Sequence, residues 1–205
     1  MCKVKCAICG SDNEIEGLSF NKLITPTSNG GKLYFDLWHF PLQKCYNCGY
    51  VSKDISICQN QNIVYKSIAN DTLEKLQHAR FNQIEDYMKA GEYYSLIGDK
   101  QNHALCLLQA GDLVYDEMIY WKEEILDEGE SCEDIQAFAE SLYSEGLKVL
   151  EEYVSTNHSD IDMQLLLVGL FDDNDEISKS KVILENIKKQ NITNEQRLIV
   201  QFLEN

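Results

Sequence analysis

Two kinds of apolar pattern divide this chain. Up to about residue 66, apolar residues fall in short runs rich in β-branched and aromatic side chains, separated by turn-forming residues. From about Asp71 they recur at helical spacing, with long side chains and no strand-like alternation. In the first part, Leu18 to Ile24 predicts a strand, Pro26 to Gly31 a turn, and Leu33 to Phe40 a second strand. A third short strand is expected at Tyr50 to Val51. In the second part, the periodicity predicts helices over Asp71–Ile97, Gln101–Leu126, Cys132–Val154, Ile161–Phe171, Glu176–Lys189 and Asn194–Leu203. Three have cap signals at their starts: Ser131 with Asp134, Ser159 with Asp162, and Thr193 with Gln196. The expected class is α+β, with a small β module at 1–66 followed by an all-α helical array at 67–205.

The β part carries the clearest chemistry. Cys6-Ala-Ile-Cys9-Gly10 and Cys45-Tyr-Asn-Cys48-Gly49 each place two thiolates where they can turn toward a common centre. The glycine after each pair permits the tight, left-handed turn that such a knuckle needs. The 35 residues between Cys9 and Cys45 are enough for a hairpin that brings the knuckles together, which is the layout of a zinc ribbon. Four thiolates close a tetrahedral shell, so the expected ion is structural Zn2+ rather than a catalytic metal with an open position. Iron is the alternative, because rubredoxins use the same pair of knuckles. A rubrerythrin-like di-iron bundle would also need paired Glu-x-x-His motifs. The residues three before His39, His78, His103 and His158 are Asp36, Lys75, Lys100 and Ser155, so no such motif exists. A module of this size buries little apolar surface, and its folding should depend on the ion.

Cys2 is close enough to the first knuckle to be a spare ligand but reads as a bystander, and Cys58, Cys106 and Cys132 read as small buried hydrophobes. The four histidines are scattered and form no triad with a Ser or Cys. Asp172 to Glu176 superficially matches a calcium loop, but Ile177 stands where glycine is required and Ile183 where a bidentate Glu is required. A solvated turn is the expectation there. There is no phosphate-binding glycine loop, and with no catalytic constellation the chain is not expected to be an enzyme.

Charge is split between the two parts. Residues 1–66 hold 7 Lys against 5 acids, a net of +2, whereas residues 67–205 hold 11 basic and 29 acidic residues, a net of -18. So acidic a body repels nucleic-acid backbones and attracts a basic partner. No stretch is long enough to span a bilayer, and eight cysteines without a secretory signal point to a reducing cytoplasm.

One helix pair adds a more specific pattern. Tyr87-x-x-Ala90-Gly91-x-x-Tyr94, then Gly98-Asp99, Leu107 and Ala110, resembles the tetratricopeptide motif, in which small residues let two antiparallel helices approach. Met163, Leu166, Leu167 and Leu170 keep the first-helix spacing of a fainter second copy. So short an array is expected to be irregular or completed by a homodimer. With the two knuckles, this makes the chain similar to a bacterial family of unknown function that joins a zinc ribbon to a tetratricopeptide-like domain. That resemblance implies the architecture and the four ligands but no activity. The functional expectation is a non-enzymatic scaffold that docks a protein or peptide, basic in character, on its helices. The alternative is nucleic-acid binding through the ribbon, with Trp38, Phe40, Tyr46 and Tyr50 as stacking surfaces.

Overall fold

The computed structural model describes residues 2–15, 26–29, 32–35, 42–60, 81–120 and 132–204. Six short strands come first: β1 (Cys2–Lys5), β2 (Asp12–Ile15), β3 (Pro26–Asn29), β4 (Lys32–Phe35), β5 (Gln43–Lys44) and β6 (Val51–Ser52). Six described helices follow: α1 (Phe81–Leu96), α2 (Lys100–Tyr120), α3 (Cys132–Thr156), α4 (Ile161–Asp173), α5 (Ile177–Ile187) and α6 (Asn194–Leu203). The architecture is α+β, as the two apolar patterns imply. Two compact units divide it: residues 1–19 with 40–146, and residues 20–39 with 147–205. The strand expected at 18–24, residues 36–40 of the next one, the change of pattern at 66–67, the first ten residues of the first predicted helix, the end of the second and Ser131 lie outside the described residues.

In the first unit, β1 pairs antiparallel with β2 and β5 with β6, giving two separate two-stranded hairpins. Each carries one cysteine knuckle at its tip. The expected single hairpin between the knuckles takes a different form: β3 and β4 pair with each other, Asn29 opposite Lys32, within the second unit. Pro26 to Asn29, expected as a turn, is itself a strand, because the register leaves just two residues between the paired ends. A Ser-Asn-Gly-Gly run marks where a hairpin closes but not how tightly.

The knuckle hairpins rest on α1. The Tyr50 ring meets Tyr93 edge-on at a centroid distance of 5.5 Å. The backbone N–H of Lys53 donates to the Tyr94 hydroxyl at 2.8 Å, and that of Gln59 to the Tyr93 hydroxyl at 3.1 Å. Lys44 Nζ lies 2.7 Å from Asp86 Oδ1. Burial pushes the Asp86 carboxyl up, and Lys44 partly offsets it. Two adjacent tyrosines thus satisfy loop amides that would otherwise be left without partners.

α1 ends at Gly98 with φ 75, where Asp99 N donates to Tyr94 O and Gly98 N to Ser95 O, the bond pair of a Schellman cap. Asp99 then caps α2 by accepting from Asn102 N at 3.1 Å. The returning helix packs close: a Cβ on Gly91 would stand 3.4 Å from Cys106 Cβ, and Ala90, Ala104 and Ala110 are fully buried. The tightest approach involves a helix the tetratricopeptide pattern did not single out. A Cβ on Gly146 of α3 would come within 3.0 Å of Leu108 Cγ, and one on Gly111 of α2 within 3.1 Å of Tyr143. The core here joins Ile84, Leu107, Ala110, Leu113 and Val114 to Ile135, Ala139 and Leu142 of α3.

In the second unit α4 is central. Leu165, Leu166, Leu167 and Val168 are all buried, so the helix is apolar around its circumference and packs against both α5 and α6, with β4 beside it. Its cap is Asp160, one residue past the expected Ser159. Asp160 accepts from Met163 N at 3.3 Å and also from the Tyr153 hydroxyl at 2.8 Å. The capping box at Thr193 and Gln196 forms as expected.

Candidate functional site

Both knuckles are built alike. Gly10 N donates to Cys6 O at 2.9 Å and Gly49 N to Cys45 O at 2.8 Å, closing each turn. Cys6 N donates to Ser11 O and Cys45 N to Tyr50 O, tying each knuckle to its outgoing strand. Gly10 and Gly49 have φ of 70 and 75, and a Cβ at either would meet nothing within 4 Å. Backbone conformation, not space, requires glycine there.

The sulfurs of Cys6, Cys9, Cys45 and Cys48 all lie within 4.8 Å of one another, and among the described residues theirs is the one His, Cys, Asp or Glu cluster that could hold a metal ion. Cys6 Sγ is 3.7 Å from Cys48 Sγ, and Cys9 Sγ is 3.6 Å from Cys45 Sγ. A tetrahedral shell with metal–sulfur bonds of about 2.3 Å requires sulfurs about 3.8 Å apart, so both pairs fit. Each close pair takes one cysteine from each knuckle, and an ion there would clamp the two hairpins together.

Polar side chains surround one side of this cluster. Ser11 Oγ is 3.1 Å from Cys9 Sγ and 3.2 Å from Cys45 Sγ. Asn47 Nδ2 donates to Cys9 Sγ at 3.4 Å, and Asn13 Nδ2 to Cys45 Sγ at 3.6 Å. The hydrogen bonds from Ser11 and Asn47 hold the Cys9 thiol down at about 5. Burial pushes Cys45 up, but Ser11 and the amides of Cys48 and Asn47 outweigh it and leave the thiol below its ordinary value. Burial raises Cys6. Partial desolvation of its sulfur, on a residue that is otherwise exposed, together with the three other thiols alongside, pushes Cys48 up to about 12. An incoming cation must therefore displace protons, those of Cys6 and Cys48 among them.

The other singled-out residues do not join this cluster. Cys106 is fully buried, as expected, while Cys58 is half-buried and its thiol donates to Asn60 O at 3.1 Å. His103 is half-buried on α2, and His158 lies in the turn after α3. His39, His78, Trp38, Phe40 and the side chains of Cys2 and Cys132 lie outside the described residues. Tyr46 is 82% exposed at its knuckle tip, but Tyr50, expected as a stacking surface, is buried against Tyr93. Of the acidic stretch, Asp172 and Asp173 end α4 and the turn to α5 follows, with Asp175 left-handed at φ 59 and Glu176 N donating to Phe171 O.

Sequence reasoning missed a groove in the second unit. It has a volume of 730 Å3 and runs between the end of α3, α4 and α5. Val154, Leu167, Phe171, Val182 and Ile183 supply its apolar surface, with Val182 63% exposed. At one end Lys179 Nζ stands 4.8 Å above the Phe171 ring and 3.2 Å from Glu151 Oε1. At the other, Gln190 Nε2 donates to Gln164 Oε1 at 3.4 Å, and Gln164 Nε2 to His158 O at 2.8 Å. The helical spacing of Leu167, Phe171, Val182 and Ile183 was legible, but which of their faces lacks a cover depends on how three helices meet.

Fold and site together define an α+β chain with a four-cysteine metal-type centre on a helical support. No helix among the described residues is long and apolar enough to cross a membrane. Comparison with protein-family models, curated proteins and solved structures returned no match.

Proposed function

We propose that this chain is a non-enzymatic docking protein, in which a structural Zn2+ holds a ribbon-like β module and tetratricopeptide-like helices receive a segment of a partner protein. The groove against α4 and α5 carries this reading. It is open and apolar, and amide and hydroxyl groups along it can bond a peptide backbone. The partner segment is amphipathic and basic, because residues 147–205, which build the groove, hold 11 acids against 6 basic residues, a net of -5, and draw positive charge to the surface. Zinc suits the centre because four thiolates complete its shell and leave no position for substrate.

Selection from a random peptide library on the immobilised, zinc-loaded chain tests the docking role. The expected outcome is enrichment of sequences that alternate Lys or Arg with aliphatic residues, with binding reduced at least tenfold by Val182→Lys. Val182 is exposed, so this change should leave the fold intact. Enriched peptides without basic residues, or binding indifferent to Val182→Lys, would reject the reading.

Nucleic-acid binding through the knuckle module is the second reading, favoured by the exposure of Tyr46. A salt-dependent shift of a labelled single strand by the full chain, abolished by Tyr46→Ala, would support it over protein docking.

A further inference from the structure

The two knuckles share a backbone but differ in side chains, and the differences all fall on one side of the cluster. Superposing the motifs pairs Cys6 with Cys45, Ile8 with Asn47, Cys9 with Cys48, Ser11 with Tyr50 and Asn13 with Ser52. Asn47 reaches across to donate to Cys9, whereas its counterpart Ile8 has nothing to donate to Cys48. Ser11 bonds Cys9 and Cys45, whereas its counterpart Tyr50 turns its hydroxyl to Ile57 O at 2.8 Å. Asn13 donates to Cys45, whereas Ser52 makes no bond to any cysteine.

Asn13 also organises the arrangement. It is 5% exposed, accepts from Tyr46 N at 3.2 Å, and donates to Ser11 Oγ at 3.3 Å. Against thiolates Ser11 can only donate, so its single hydroxyl hydrogen is shared between Cys9 and Cys45. Among the described residues, no side chain other than cysteine donates to Cys6 or Cys48. Of these two, Cys6 is buried and Cys48 exposed.

We propose that in the metal-loaded chain Cys48 is the modification site, the thiolate through which soft carbon electrophiles open the shell, while Ser11, Asn13 and Asn47 shield Cys9 and Cys45. The proposal rests on metal binding by the four cysteines. With the ion bound all four are thiolates, so accessibility and hydrogen bonding set their relative nucleophilicity. A hydrogen bond to a thiolate occupies the electron density that would attack carbon, and a donor of this kind slows attack by about tenfold. Cys9 and Cys48 are both exposed, so the donors separate them. With iodoacetamide, the Cys48 lone pair forms the S–C bond and iodide departs with the electrons of the C–I bond. The resulting thioether is neutral and a weaker ligand, and a chelator in solution then takes the ion.

The test uses the full chain loaded with one Co2+, whose thiolate absorption reports the intact shell, and then with Zn2+. Limiting iodoacetamide is added in the presence of a chromogenic chelator, and alkylation at each cysteine is mapped by mass spectrometry. Among the four ligands, Cys48 should be modified first, about tenfold faster than Cys9, with one ion released per Cys48 modified. Asn47→Ala, at an exposed position, should speed Cys9 alone; Ser11→Ala should speed both Cys9 and Cys45; the Cys48 rate should hold in both. Cys9 reacting as fast as Cys48, or variants that speed all four equally, would overturn the shielding while leaving metal binding intact. Failure to bind one ion per chain would overturn both.

Discussion

Residues 2–15 and 42–60, around the cysteine cluster, bury few apolar side chains, chiefly Tyr50, Val51 and Ile55. In the second unit α4 alone buries Ile161, Met163, Leu165, Leu166, Leu167, Val168 and Phe171. Each such side chain contributes about 1.5–3 kcal/mol when taken out of water. The knuckle hairpins, with strands of two to four residues, have no comparable source. A structural zinc supplies an apparent ~10–16 kcal/mol in small domains and can take its place. On the proposed reading, one region is stabilised by an ion that a chelator can remove, and the other by a core that no reagent extracts.

The largest expected effect comes from breaking the first side of this contrast. Cys45→Ser removes a buried ligand from the centre of the donor network and should abolish stoichiometric metal binding, read by metal analysis of the purified chain. The α4–α6 helical signal should persist. On the other side, Leu165→Ala hollows a fully buried position and should cost about 2–5 kcal/mol in denaturant unfolding of the second unit. Metal content should not change. If Leu165→Ala released the ion, the two regions would not be energetically distinct.

Legibility in the sequence follows the same division by range of interaction. The two cysteine knuckles and their left-handed glycines were readable because a knuckle is a local object, fixed by residues within five positions of one another. The capping box at Thr193 and the Gly98 break were local too. What escaped depends on distant partners. Tyr94 stood out only as part of the tetratricopeptide-like pattern, yet its hydroxyl serves the Lys53 amide 41 positions away. Asp160 displaces Ser159 as cap because Tyr153 adds a bond. Gly111 and Gly146, isolated within helical patterns, did carry a packing signal, since such glycines cost helix stability and need a compensating contact.

Smaller effects sharpen the comparison. Gly49→Ala forces a side chain into a left-handed turn and should destabilise the metal-bound first unit by about 1–2 kcal/mol, measured as a lower thermal midpoint. The space around it is open, so a larger loss would mean that contact, not conformation, governs the knuckle.

The smallest effect concerns pH. Burial holds His103 below its ordinary 6.5, with Glu145 a partial offset. The folded state thus refuses a proton that the unfolded chain accepts, so stability is complete above about pH 6.5 and falls as pH drops through that value toward the folded one. Relative to His103→Gln, the wild-type chain should lose more stability between pH 7 and pH 5.5, by under about 1 kcal/mol. Equal losses would show that the site is open to solvent.

Amide hydrogen exchange on the full chain, before and after zinc is stripped by a chelator, tests the central claim most directly. Protection should collapse across residues 2–15 and 42–60, weaken in α1 where Tyr93 and Tyr94 hold the loops, and persist in α4. Unchanged protection in the knuckle hairpins after verified zinc removal would contradict a metal-held module.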